Sequence, residues 1–431
     1  MSSTAAQPLG TILAMSSMST EGAPAPVQSR VVGLVAVACA ITVANIYWAQ
    51  PLLVAIGHEF DAGAAQLGAV AALTQFGYAL GIVALVPLGD SIDPRRLVLL
   101  LLGLVTAALL ACAAAPSLIW LAFASFVLGC VTVIPQILIP YVAALASPEA
   151  RGRVIGSAQS GLIVGILGAR ALAGMLESAL GWRSIFVIAA VASAVLTVVL
   201  LVWLPPRARA GSPATSYLAL LRSLPSFLQT LPALREACLF GALAFAGFSG
   251  FWTTIALFVA AHPIAGALTA HLPPSAIVGA LALVAIVSAF VAPLIGRFAD
   301  RRGPLAGNGI ALALVTLGFL ALLGATAPHW ALVALVAGVV LLDIGMQGNQ
   351  ISNQTRILSL SSGAGSRLNT VYMAALFLGG AVGSTLGATA WNRFGWHGVC
   401  GLGIIYVVVA LPVYARAVRR ARADVGSSAA A

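Results

Sequence analysis

Residues 296–303 read Gly296-Arg297-Phe298-Ala299-Asp300-Arg301-Arg302-Gly303, a short charged turn between two long apolar runs. A related turn occurs earlier, at Val86-Pro87-Leu88-Gly89-Asp90-Ser91-Ile92-Asp93-Pro94-Arg95-Arg96, and Asp90 and Asp300 stand 210 positions apart. The correspondence continues outward. Thr132-Val133-Ile134-Pro135-Gln136 lies against Asp343-Ile344-Gly345-Met346-Gln347 at an offset of 211. Gly181-Trp182-Arg183 lies against Gly395-Trp396-His397 at 214, the offset that also relates Arg153 to Arg367. Nearly equal offsets kept in order along a chain mark an internal duplication, so two related halves are expected.

Between these landmarks the chain is apolar. Of 431 residues, 61% are hydrophobic and 7% charged, where a soluble globular protein carries roughly 25% charged. So few polar side chains cannot cover a body facing water, and the surrounding medium must be mostly lipid. A membrane-spanning helix needs about 20 apolar residues. That criterion predicts twelve spans, near 31–56, 66–89, 96–115, 118–146, 153–176, 184–204, 237–261, 275–298, 305–326, 330–356, 368–390 and 398–415. Pro135, Pro140 and Pro293 fall inside them, which a bundle tolerates because neighbouring helices satisfy the freed backbone groups. The expected class is an all-α membrane protein of twelve transmembrane helices in two pseudo-symmetric six-helix halves, 31–204 and 237–415.

The remaining segments read as appendages. Residues 1–30 are rich in Ser, Ala and Pro, show no signal-peptide pattern, and read as a disordered cytoplasmic tail; residues 416–431 read as a C-terminal cytoplasmic tail. In the linker 205–236, Tyr217, Leu220, Leu221, Leu224, Phe227, Leu228, Leu231 and Leu234 recur at helical spacing. That spacing predicts an amphipathic helix lying on the inner interface.

The net charge of +10 would point to nucleic acid in a soluble protein. Here it sits in the gaps between spans, and almost all on one side. Arg30, Arg95, Arg96, Arg151, Arg153, the linker arginines, Arg297, Arg301, Arg302, Arg356, Arg367 and the C-terminal cluster share that side, whereas Arg183 and Arg393 lie opposite. By the positive-inside rule both termini are cytoplasmic, which agrees with an even number of spans. The five cysteines, Cys39, Cys112, Cys130, Cys238 and Cys400, fall in apolar runs without metal-type spacing. There is no His pair of metal type, no acid-rich diphosphate cluster and no Gly-rich phosphate loop ending in Lys. No cofactor and no enzymatic activity are therefore expected, and an ATP-driven pump is excluded within this chain. Two six-helix repeats are what many secondary transporters are built from.

On these residues the chain resembles the major facilitator superfamily over nearly its whole length, the two tails excluded. Gly296-x-x-x-Asp300-Arg301-x-Gly303 matches the family's signature between spans 8 and 9. The first-half copy is degenerate: Val86 replaces the leading Gly and Ser91 the basic residue after Asp90, while Arg95 and Arg96 remain. Asn45-Ile46-Tyr47-Trp48-Ala49-Gln50-Pro51-Leu52-Leu53, Asn353-Gln354-Thr355-Arg356 and Arg367-Leu368-Asn369-Thr370-Val371-Tyr372-Met373 further resemble the bacterial branch described as sugar-efflux or drug-efflux-like. The resemblance implies a gating role for Asp90 and Asp300. An acid at the inner end of a helix can pair with Arg and with the positive end of a neighbouring helix, in a contact held in one conformation and broken in the other. The alternative is an ordinary exposed ion pair. Arg95, Arg96 and Arg301 serve the positive-inside bias in either case.

Chemistry is to be sought where polar groups sit at membrane depth, because an ionisable side chain there costs about 2.5–3.5 kcal/mol and normally faces a cavity or a partner. Two residues qualify. Asp343 lies about halfway along span 10, followed by Gln347, Asn349, Gln350, Asn353 and Gln354. A carboxyl group withdrawn from water holds its proton more readily, as a proton carrier must. Asp343 is thus a candidate for proton coupling or for binding a cationic substrate, or else a structural anchor. Arg170 lies in the outer half of span 5, in Gly161-x-x-x-Gly165-x-x-Gly168-Ala169-Arg170-x-x-x-Gly174. It can bind an anionic substrate, neutralise a carboxylate such as Asp343, or snorkel to the outer interface. The glycines resemble the span-5 motif of the family's antiporters, with Ala169-Arg170 where Gly-Pro would stand; Ser125 stands where those antiporters often carry Arg.

Asn45, Gln50, Gln75, Gln136, Gln347 and Gln350 are candidate cavity residues for a polar solute, each equally explained by a helix-to-helix hydrogen bond. Tyr47 can stack on a ring or belong to the aromatic belt at the interface. Trp252 stands in an apolar span 7 with Phe245, Phe248 and Phe251, which tilts the cavity toward an amphipathic or hydrophobic solute. The expectation is a monomeric secondary transporter that moves a small molecule by rocking of its halves. Proton-coupled efflux comes first, import is the alternative, and a solute receptor of transporter form is the third. Its partners are then the substrate, protons and the lipid bilayer, with no nucleic acid.

Overall fold

The computed structural model describes residues 29–204, 217–262, 272–360 and 364–430. Among them every regular element is a helix, as hydrocarbon requires of a chain that must satisfy its own backbone. Ten of the helices are long and apolar enough to cross a membrane, and two features raise the number of crossings to twelve. The stretch Gly365–Ala430 would be about 100 Å long if straight, roughly three times the thickness of a bilayer core. It is broken at Gly395, whose φ of 62° and ψ of −151° are not helical, and so yields spans 11 and 12. Pro274–Val284 is too short alone but resumes after Ala285-Ile286 as Val287–Arg302, and the two together form span 8.

The other spans are Val31–Phe60, Ala64–Leu85, Pro94–Ala113, Leu118–Leu145, Gly152–Leu180 and Trp182–Trp203 in the first half. Pro232–Ala261, Pro304–Thr326 and Ala331–Leu358 complete the second. Outward-facing Ile119, Phe123, Phe290, Phe394 and Val202 are well exposed. They form the lipid-facing coat that the composition demands.

The duplication is visible in the backbone. Gly181 (φ 75°, ψ 156°) turns span 5 into span 6, and Gly395 does the same between spans 11 and 12. Each is followed by a tryptophan that ties the turn down. Trp182 Nε1 donates to Glu59 Oε2 at 2.6 Å and Trp396 Nε1 to the carbonyl of Leu322 at 2.7 Å. The close-packed pairs repeat as well: Gly165 lies against the backbone of Ala40, between spans 5 and 1, and Gly379 against that of Ala242, between spans 11 and 7. The signature turn is where the copies part. Gly303 opens span 9 at φ 86°, whereas the residue 210 positions earlier, Asp93, opens span 3 by accepting a hydrogen bond from Arg95 N at 3.0 Å.

Several elements differ from the sequence expectation. The linker helix runs Tyr217–Thr230, with Pro225 inside it, and Pro232 opens span 7, so Leu231 and Leu234 lie beyond the linker helix. The last helix continues past residue 415 to Ala430, so the C-terminal segment is helical. Residues 1–28 and 205–216, which include most of the expected N-terminal tail, lie outside the described residues. Spans 1, 2, 4 and 8 are each interrupted, at residues 45–48, 86–87, 132–133 and 285–286.

Asn349 and Asn353, which follow Asp343 in sequence, face span 9 and not the centre. Asn308 Nδ2 donates to Asn353 Oδ1 (2.9 Å), Asn353 Nδ2 to Asn349 Oδ1 (2.9 Å) and Asn349 Nδ2 to Asn308 Oδ1 (3.5 Å), a closed ring of three buried amides. Asn353→Leu removes two of these bonds and leaves the other amides short of partners. The expected loss is about 1–2 kcal/mol, read as a lowered unfolding temperature of the detergent-purified protein; an unchanged temperature would show that the ring does not stabilise the bundle.

Candidate functional site

The interruption of span 1 builds one wall of the centre. Asn45 N, Ile46 N and Tyr47 N bond three residues back, to the carbonyls of Thr42, Val43 and Ala44, a tightening typical of functional bends. Trp48 Nε1 donates to Asn45 Oδ1 at 3.0 Å and fixes the bend. Tyr47 and Trp48 are both buried, so neither belongs to an interfacial belt. Asn45 acts on the bend itself.

The bend delivers Tyr47 to Arg170, which is 1% exposed and therefore does not snorkel. The Arg170 guanidinium carbon lies 4.1 Å from the ring centre of Trp252, 4.7 Å from that of Tyr47 and 5.3 Å from that of Phe248. Such stacking is worth about 2 kcal/mol or more where water is excluded. Nε donates to Gln50 Oε1 at 2.9 Å, while Nη1 is buried without a partner. Tyr47, Gln50 and Arg170 come from the first half and Phe248 and Trp252 from the second, so the cage spans the junction.

Asp343 enters from the second half, 5% exposed, with Oδ2 buried and unpartnered. It and Arg170 act on each other electrostatically. Among the ion pairs of the described residues, however, none joins them. Asp343, Gln347, Gln350 and Gln354 recur at i, i+4, i+7 and i+11, one face of the helix. The face forms a polar stripe, with Gln350 about 10 Å along the axis from Asp343. Its far end lines a cavity of about 310 Å³, together with Gln136, Gln159, Asn369 and apolar residues of spans 2, 4, 5 and 11. The cavity lies at the end of the bundle that carries the chain termini, and among the described residues no charged side chain lines it. Gln136 Nε2 also donates to Tyr78 Oη at 3.4 Å and Gln354 Nε2 to Asn369 Oδ1 at 3.3 Å.

At the opposite end the halves touch. Gln75, a cavity candidate by sequence, lies instead between them: its Nε2 donates to Ser249 Oγ (2.6 Å) and Ser384 Oγ (3.0 Å), on spans 7 and 11. Ser275 Oγ of span 8 donates to Glu177 Oε2 of span 5 at 2.8 Å. Beside it Gly174 meets the carbonyl of Ser275 and the backbone of Gly279, and Gly68 of span 2 meets Ala388 of span 11.

Of the expected gating residues, the side chains of Asp90 and Asp300 lie outside the described ones. Arg95 Nη2 donates to the carbonyl of Leu201 near the end of span 6, and Arg96 approaches Asp93 at 3.9 Å from an exposed position. Arg301 is exposed and Gly296 half-buried. A charged cluster at the same end escaped the sequence reading. Glu236, buried at the start of span 7, accepts from Arg356 Nη2 of span 10 and, at 2.8 Å, from Arg420 Nη1 beyond span 12.

The profile of the Major Facilitator Superfamily matches residues 34–388. The transporter YgaY of Escherichia coli O157:H7 is 36% identical over 390 residues, 90% of this chain and 96% of that one. A Streptomyces coelicolor protein named as a transporter is 36% identical over 425 residues, 98% and 95% of the two chains. Among solved structures, a POT family transporter in complex with a thioalcohol-conjugated peptide superposes with a TM-score of 0.73 at 12% identity, covering 90% of this chain and 96% of that one. A bacterial homolog of the human lysosomal transporter Spinster, inward-facing and occupied, gives 0.68 at 16%, covering 92% and 98%. At those identities the structures report the fold.

The distal contacts make a concrete expectation. Gly174→Val puts a branched side chain into the backbone of span 8, whereas Gly168→Val, on the same helix, meets nothing within 4 Å. The first substitution is expected to wedge the distal end open and close the cavity, slowing maleimide labelling of a Gln350→Cys reporter from the terminal end several-fold; the second leaves labelling unchanged. Equal labelling in both would remove spans 5 and 8 from the closure.

Proposed function

The chain belongs to the major facilitator superfamily of membrane transporters, and from that premise we propose that it is a proton-coupled exporter of a small molecule in the bacterial inner membrane. The observation that carries the reading is Asp343: a carboxylate at the centre of the bundle, with a buried oxygen that nothing satisfies. A group left so is costly as an anion and is relieved by a proton or by a cationic ligand. Two binders that exclude each other from one carboxylate, in a site reached from alternate sides, exchange in opposite directions.

The distribution of arginines supports an orientation with both termini in the cytoplasm. In that orientation the cavity beside Gln350 faces the cytoplasm and the contacts of Gln75, Gly174 and Ser275 close the outer side. Residues 31–204 and 237–415 are then the two bodies that rock, with Asp90, Arg95, Arg96, Gly296, Asp300, Arg301 and Gly303 at their inner gates. Gln50, Tyr47, Trp252 and Arg170 hold the centre from which the solute is released, and the rocking body is a single chain.

Everted vesicles with an acidic interior provide the test, with a pH-sensitive dye followed while sugars, amino acids and lipophilic cations are added in turn. Wild-type protein is expected to release protons in response to a transported compound, and Asp343→Asn to abolish the response while the variant remains in the membrane at wild-type level. Proton release equal in the variant would make the carboxylate structural. Uptake of a compound down its own gradient without proton movement would replace export by facilitated transport.

A further inference from the structure

We propose that the central site takes a small zwitterion with an apolar side chain, an amino-acid-like solute whose carboxylate lies on Arg170 and whose ammonium lies on Asp343. The proposal rests on the reading of Asp343 as a binding and coupling group. Its ground is the pair of opposite charges that are buried together and left unjoined: Arg170 retains a buried Nη1 and Asp343 a buried Oδ2 without a hydrogen-bond partner. Gln50 occupies only the Nε of Arg170.

Every class of solute can be judged by what it leaves behind. An uncharged polyol can hydrogen-bond to both groups but brings no opposite charge to either. A simple anion relieves Arg170 and a simple cation relieves Asp343, each stranding the other group in a dry site. A molecule bearing one carboxylate and one ammonium satisfies both orphans at once and enters with no net charge. The two groups come from different halves, so such a solute also bridges the bodies that must move.

The surroundings fit the rest of the molecule. Tyr47, Phe248 and Trp252 give apolar walls around the guanidinium. The cavity at the far end of the Asp343 helix face, about 310 Å³, stands at the small end of the range for ligand pockets, about 300–1,000 Å³. Gln136, Gln159, Gln350, Gln354 and Asn369 line it with amides, which can donate to a carboxylate or accept from an ammonium without trapping either. The direction of coupling agrees as well. An ammonium competes with a proton for Asp343 and so exchanges against it, whereas an anion on Arg170 alone would favour a proton on Asp343 and travel with it. The charged and titratable groups acting on this pair are each other and Tyr47.

Counterflow in proteoliposomes tests this without any ion gradient. Purified protein is loaded with unlabelled leucine, valine or phenylalanine and the labelled form is added outside. Isocaproate, isoamylamine and glucose serve as competitors: the first two keep the leucine skeleton without its ammonium or without its carboxylate. Amino-acid exchange is expected, with isocaproate and isoamylamine each weaker than leucine by about tenfold or more and glucose without effect. Asp343→Asn should weaken leucine but not isocaproate, and Arg170→Gln should weaken leucine but not isoamylamine, because each substitution removes the charge that the analogue would strand; a merely structural role would not divide the analogues in this way. Failure of the wild type to exchange any of the three amino acids overturns the proposal, as does competition by either single-charge analogue equal to that of leucine. The wild-type comparison stands even if a variant fails to fold. Amino-acid exchange without proton movement would retire proton-coupled export and keep the zwitterion, and proton release driven by a sugar or lipophilic cation alone would do the reverse.

Discussion

Hydrocarbon offers no water to an unsatisfied polar group, and each such group costs several kcal/mol there. Every other feature of the molecule follows from that constraint. The backbone answers it by being helical in every described crossing, and most side chains answer it by pairing: Asn308 with Asn349 and Asn353, Gln75 with Ser249 and Ser384, Glu236 with Arg356 and Arg420. Buried atoms without a partner remain on several side chains, Gln75, Ser352, Arg356 and Tyr372 among them, and at the centre two of them belong to opposite charges, Arg170 and Asp343. Thus the same economy that fixes the scaffold also isolates the site.

The crossings, their number and their pairing into halves were legible because they depend on quantities a sequence carries directly: run length, arginine placement and offset. The Gly181-Trp182 and Gly395-Trp396 repeat is written in the sequence, and the positive φ at each glycine gives its physical reason. The rotational setting of polar residues was not legible. A helix with apolar residues on all sides has no periodic stripe to mark its inward face, so Gln75 read the same as Gln136, although one fastens the halves and the other lines the cavity. Asn349 and Asn353 looked continuous with Gln350 for the same reason, and only the packing of span 9 separates them.

Interruptions of the helices were equally hidden. Nothing in Asn45-Ile46-Tyr47-Trp48 is a glycine or proline, and the bend there depends on a local Trp48–Asn45 hydrogen bond that only a folded neighbourhood sustains. Glu236 escaped because it lies at the edge of its span, where a carboxylate is ordinarily solvated; it is buried because arginines from two distant helices converge on it. Asp93 shows a further limit. It takes the place that Gly303 holds in the other half by capping a helix with its side chain, at φ −56° where Gly303 has 86°, so two chemically unlike residues open corresponding spans by different turns.

The linker helix touches both halves: Tyr217 Oη donates to the carbonyl of Ala84 at the end of span 2 (2.8 Å), and Phe227 lies 5.3 Å beneath the guanidinium of Arg367 at the start of span 11. Ten residues of helix make a strut of about 15 Å, laid beside the mouth that Val86 and Gly365 line. While both ends hold, the strut caps how far spans 2 and 11 can separate. Parting them further, and so widening the mouth for a bulkier solute, requires one of these two contacts to break.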